Sequence, residues 1–306
     1  MRRPSWGLLL ACLLPFTAQA DEFNEGLAAL WEVLWHQSGT PTRIVRWEND
    51  LKVRFTGTNA GRHREHMMTA LRTVAGEAGV KVTDVSGTAE ETNANVTVEV
   101  TADNQLEDNQ PCVTFLDFKV ETKIDSAVVQ MRDRDAWRCA YHEAMHVMGV
   151  RGHPAGRTVL SYFPWKIDGL LPLDRVMLQA WYSPRMQGGM TPFEALPILG
   201  DELVATVPQG QRPQAMRARD AFYADTVRQM HAYAQGNGDV PAVVKRSGKS
   251  THEGIRYGRG EMSYFLGIAY LEGATVQRDA TEAVRWLERA ATMGNRGAQA
   301  KLGAFR

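Results

Sequence analysis

Between Cys139 and His153 the chain reads CAYHEAMHVMGVRGH, and no other stretch limits its possible folds as strongly. His142 and His146 are four residues apart, so on an α-helix their imidazoles project from one face, about one turn above each other. Tyr141, Met145 and Met148 form an apolar i, i+4, i+7 stripe, with Ala140, Ala144 and Val147 adjoining it. Such a helix packs on one side and is polar on the other. Gly149 offers a place for it to stop. The preceding sequence supplies a layer to pack against. Arg43 to Trp47, Leu51 to Phe55, Val80 to Val85, Ala94 to Val100 and Ser126 to Met131 alternate or run apolar as strands do, whereas Glu22 to Trp35 and Arg62 to Ala78 have helical spacing. Strands interleaved with few helices predict an α+β domain: a mixed sheet plus the histidine helix.

The same spacing carries chemistry. Two imidazoles on one helix face can share a tetrahedral zinc ion, Zn2+. Glu143 would point beside the metal, where a carboxylate can act as general base toward water. A catalytic zinc also needs a third protein ligand. His153 is the leading candidate, because Gly149 and Gly152 let the chain turn back; a downstream carboxylate at Asp168, Asp174, Glu194 or Glu202 is the alternative. The competing reading without metal is a satisfied core pair of histidines beside an exposed Glu143. His63 and His66, three apart and without an intervening Glu, read as a solvated helix face. His36, His231 and His252 have no partner pattern.

HEAMHVMGVRGH resembles the extended motif of metzincin-type zinc peptidases, H-E-x-x-H-x-x-G-x-x-H, with His153 displaced by one residue because Gly152 stands at the third histidine position. Thr158-Val159-Leu160-Ser161-Tyr162 resembles the methionine-containing turn of that family, with Leu160 in place of Met. The resemblance implies a zincin-like fold, peptide-bond hydrolysis, and for Tyr162 a role as oxyanion donor or retractable ligand. From Cys139 through Trp181-Tyr182-Ser183-Pro184 to Thr191 the chain also resembles a bacterial secreted family known only as a domain of unknown function.

Other segments set the context. Arg2 and Arg3 precede an apolar run from Trp6 to Phe16, and Ala18-Gln19-Ala20 follows, as in a secretory signal peptide cleaved after Ala20. That predicts a periplasmic or secreted protein, and no later stretch is apolar enough for a membrane span. Cleavage would leave Cys112 and Cys139, which are expected to pair in an oxidising compartment. Lys plus Arg and Asp plus Glu both number 35, which gives no positive field for nucleic acid.

Thr191-Pro192-Phe193-Glu194 has the order of an N-cap, a first-turn proline and a capping box. From about residue 208 the pattern is almost all helix. Leu266, Gly267, Tyr270, Gly273, Ala283, Trp286 and Gly294 resemble a Sel-like repeat, a relative of the tetratricopeptide helix pair. The expected organisation is a signal peptide over 1–20, a zincin-like domain over 21–207 and a helical domain over 208–306, with the repeat from about 260. Two functions follow as expectations. One is a zinc metallopeptidase in which His142, His146 and His153 hold the metal, Glu143 is the base, and a peptide or protein substrate pairs with an edge strand at Ser126 to Met131. The other is a non-catalytic cell-envelope protein whose helical tail binds a protein partner.

Overall fold

The computed structural model describes residues 14–102, 106, 110–120, 122–161 and 167–304, with side chains from Asp21 onward. Most of the expected signal peptide and all of Tyr162 lie outside the described residues. Helix α1 (Leu14–Glu32) leads into a short hairpin, β1 (Trp35–His36) and β2 (Thr40–Pro41). Then come β3 (Leu51–Thr56), α2 (Ala60–Glu77), β4 (Val82–Asp84), β5 (Val96–Thr101), β6 (Cys112–Val120), β7 (Lys123–Arg132) and the histidine helix α3 (Ala136–Val147). The rest is helical: α4 (Pro172–Trp181), α5 (Pro192–Thr206), α6 (Arg212–Gln235), α7 (Ala242–Arg246), α8 (His252–Glu272), α9 (Ala280–Thr292) and α10 (Arg296–Gly303).

The five-stranded sheet has the order β4-β3-β5-β7-β6. Four strands are parallel and β6 runs antiparallel to β7 at the edge, so the sheet is mixed, as expected for an α+β chain. Val96, Val98 and Val100 alternate along β5 and are buried, while Met67, Leu71 and Val74 of α2 cover that layer. Two strand expectations need correction. Ser126 to Met131 lies in β7, which is paired on both sides, so its backbone cannot serve as an edge; the edge is β6. Arg43 to Trp47 makes a single bridge, Arg46 to Lys123, because the Ile44 amide donates to Met190 O at 2.9 Å and the Ile44 carbonyl accepts from Gly189 N–H at 2.8 Å. The loop before α5 takes the bonds that a strand partner would have used.

One buried cluster runs from Leu27 and Trp35 through Val98 and Met145 to Phe193, Tyr233 and Trp286. The sheet region and the helices after it therefore share a core. Helix α5 starts as expected: Glu194 N–H donates to Thr191 Oγ1 at 3.3 Å, and Thr191 N–H to Glu194 Oε2 at 2.7 Å. Between α8 and α9, Gly267 has no room for a side chain, since a Cβ there would lie 2.8 Å from Leu287 Cγ. Tyr270 and Trp286 do more than fill the gap between those helices. Both meet His231 of α6, Tyr270 through a 3.1 Å contact to Nε2 and Trp286 through a ring contact at 4.9 Å. Among the described residues no helix is long and apolar enough to cross a membrane.

Candidate metal centre

Helix α3 is buried on nearly every side, with Ala140, Ala144, Met145 and Val147 fully enclosed. His142, Glu143 and His146 face a cleft of about 310 Å³ rather than open solvent. The helix ends in a Schellman turn, with Gly149 N–H donating to His146 O at 2.9 Å and Val150 N–H to Met145 O at 3.2 Å. Gly149 has φ +88°, and a Cβ on it would come within 2.4 Å of Val45 O; one on Gly152 would meet Val33 O at the same distance. Only glycine fits either place, and the tight return brings His153 back over the helix. Trp47 Nε1 and the Tyr182 hydroxyl close the helix end by donating to Val147 O and Met148 O at 2.7 and 2.9 Å.

The three imidazoles converge. Their Nε2 atoms form a triangle with edges of 3.0 Å (His142 to His146), 3.1 Å (His146 to His153) and 3.2 Å (His153 to His142). His142 Nδ1 lies 2.8 Å from Val159 O, and His146 Nδ1 2.7 Å from Val150 O. A carbonyl can only accept, so both Nδ1 atoms carry the proton and both Nε2 atoms present a lone pair. Between those two nitrogens there is no proton to share, and facing lone pairs at such a separation repel unless a cation lies between them. A tetrahedral zinc with bonds of about 2.0–2.1 Å holds its nitrogens about 3.3 Å apart, so the donor set fits. Burial, reinforced at His146 by the neighbouring His142 and His153, holds His146 well below its usual value, and His153 is lowered to about 3. The rings are neutral at neutral pH, which is the ligating form.

The orienting carbonyls have their own support. The hydroxyl of buried Thr158 bonds to the Asp174 carboxylate, which also accepts from Val159 N–H at 3.2 Å and Leu171 N–H at 2.9 Å. Asp174 thus shapes the turn that offers Val159 O to His142. None of the carboxylates considered as third ligand joins the cluster: Asp174 is fully buried in that turn, Glu194 serves the α5 cap, Asp168 lies on the His66 side, and Glu202 sits on α5. Leu160, fully buried, follows in the same turn.

Glu143 is 1% exposed, which removes the reading of an exposed carboxylate. Its Oε1 lies 4.0 Å from His142 Nε2, and its Oε2 accepts from Thr114 Oγ1 at 2.6 Å. Burial, opposed by the Thr114 bond, raises its pKa to about 7. Thr114 belongs to the edge strand β6, whose Cys112 is joined to Cys139 of α3 by a disulfide. Two residues of the cleft were not anticipated. His36 lines it from the β1–β2 hairpin, and Arg151 from the turn between Gly149 and His153. The hairpin is too short for a periodic signal, and only the fold brings His36 beside residues a hundred positions away. His63 and His66 are packed rather than solvated: His63 Nε2 meets Asp133 Oδ1 at 2.6 Å, and His66 Nε2 meets Trp137 O at 3.1 Å while its ring stacks on the indole.

Residues 21–149 match a family described as Protein of unknown function (DUF2927), and residues 261–295 match the Sel1 repeat. The first match takes in the sheet and the helix of His142 and His146, and stops short of His153. The second coincides with the end of α8, α9 and the turn after it. No curated protein and no solved structure matches the chain.

Proposed function

We propose that this chain is a zinc-dependent peptidase of zincin-like type, acting in the periplasm or outside the cell, with His142, His146 and His153 as ligands and Glu143 as general base. The observation that carries this reading is the triangle of Nε2 atoms with a buried carboxylate beside it, at the bottom of an open cleft. Zinc held there would supply Lewis acidity, polarising a scissile carbonyl and acidifying water.

The protein groups do the rest. Val159 and Val150 carbonyls fix the two helix imidazoles as Nε2 ligands. Glu143, with its pKa near neutrality, takes a proton from the attacking water and passes it to the leaving amine. The Thr114 hydroxyl holds one carboxylate oxygen and leaves the other for that transfer. On the rim, the outer edge of β6 pairs with no other strand among the described residues, so an extended peptide can pair along it, and Phe115 on that strand is 55% exposed. Sel1 repeats commonly mediate protein interaction, and the α8–α9 pair offers a place for a protein partner.

The test is Glu143→Gln in the mature chain. Zinc should stay bound at one per chain while peptide hydrolysis falls by about 10²–10⁴-fold. Unchanged turnover, or a wild-type protein that takes up no zinc, would leave the non-catalytic envelope protein as the reading.

A further inference from the structure

Arg151 stands where the zinc cleft runs into a second depression that reaches toward α8; His36 and Phe118 line both with it. Its guanidinium is half-buried, yet among the described residues its one side-chain hydrogen bond runs from Nη1 to the Thr42 hydroxyl at 3.3 Å, and no carboxylate lies within ion-pair distance. A guanidinium taken out of water without a counter-charge is costly, and its planar fork matches a carboxylate better than any other common ligand. The backbone beneath it is fixed, because Gly149 and Gly152 on either side are pressed against the Val45 and Val33 carbonyls.

His36 adds a second donor. Its Nδ1 accepts from Ser38 N–H at 3.2 Å, so its proton sits on Nε2. Burial first, and then Arg151, lower its pKa to about 4, so it is a neutral donor at neutral pH. Around the zinc cleft Glu143 is the sole acidic lining residue among those described, and it is already bonded to Thr114; in the second depression the one acidic lining residue among those described is Glu261 of α8, which accepts from Asn295 Nδ2 at 2.7 Å and shares that depression with a second cation, Arg43. A negatively charged group entering beside Arg151 therefore meets a cation and a neutral N–H.

We propose that Arg151 and His36 form a carboxylate-recognition subsite beside the histidine cluster, so that preferred substrates carry a carboxylate one or a few residues from the scissile bond. What that carboxylate belongs to rests on the peptidase reading; the subsite itself does not. Two sources present the same group: the free C-terminus of a peptide, and an Asp or Glu side chain.

The probes are acetyl-tetraalanine as free acid and as amide, and acetyl-Ala-Glu-Ala-amide with its Gln counterpart, titrated by calorimetry or NMR. The protein is the full mature chain carrying Glu143→Gln, in zinc-loaded and zinc-free forms. At least one carboxylate probe is expected to bind about 10-fold or more tightly than its neutral partner in both forms. Arg151→Met should abolish that preference and Arg151→Lys should retain part of it, with zinc content unchanged in each. Preference within the tetraalanine pair identifies a chain-end carboxylate, and preference within the Glu/Gln pair an acidic side chain; either supports the subsite. Equal binding in both pairs, or a preference that survives Arg151→Met, overturns it. Failure to load zinc would count against the peptidase reading alone, because the zinc-free titration still reads the carboxylate preference.

Discussion

Helices α2 and α3 each present two histidines on one face, and the two pairs are used in opposite ways. On α3 the backbone takes the Nδ1 atoms: Val159 O and Val150 O accept from His142 and His146, and the Nε2 lone pairs converge with that of His153. On α2 the protein takes the Nε2 atoms instead: Asp133 holds His63 and the Trp137 carbonyl meets His66. Asp133 lies just before α3 and Trp137 in its first turn, so the second pair fastens α2 to the start of α3. The lesson is that a histidine pair becomes a ligand pair through which nitrogen the surroundings leave open, and spacing alone does not decide it.

Three experiments sharpen or break that contrast. The largest effect is expected from His142→Ala, which should lower zinc affinity by more than about 100-fold, beyond what changes in orienting partners cause. His63→Ala and His66→Ala should keep full zinc content by metal analysis and lose only some thermal stability. Zinc loss in either α2 variant would erase the distinction. A middle effect is expected for Asp174→Asn, which loosens the turn that offers Val159 O; zinc affinity should fall by about 10–100-fold in a competition assay. Wild-type affinity in that variant would mean that His142 needs no such support.

The smallest effect concerns pH. In the folded chain His36 is lowered to about 4, below the usual 6.5, so as pH falls between those values the unfolded chain takes up a proton that the folded chain refuses. Stability of the metal-free protein should therefore be intact above about pH 6.5 and decline toward pH 4, with a Tm lower by a few degrees. His36→Gln should flatten part of that slope.

Much of this was legible in the sequence, for identifiable reasons. The i, i+4 histidines, the two glycines that turn the chain back to His153, the Thr191 capping box and the small residues of the repeat are local signals, each tied to a backbone requirement. The misses are non-local. β6 escapes an alternation test because apolar and β-branched residues fall on both of its faces: Leu116 and Phe118 pack on the core while Phe115 is exposed. Arg43 to Trp47 alternates like a strand, but the backbone bonds of Ile44 go to the loop before α5. Asp174 reads equally well as a ligand and as a turn support, and only its three neighbours along 158–171 decide. His36 and Arg151 belong to no motif, since their pairing depends on how the hairpin meets the end of α3.

The disulfide between Cys112 and Cys139 joins the strand on one wall of the cleft to the helix on its floor. Thr114 and Glu143, two and four residues from those cysteines, meet across the same gap. The bond therefore acts as a spacer: it sets the width available to anything lying on β6 and stops the strand from peeling away when the cleft is empty. In a reducing environment that spacer is lost, and the groove would keep its histidines but not its gauge.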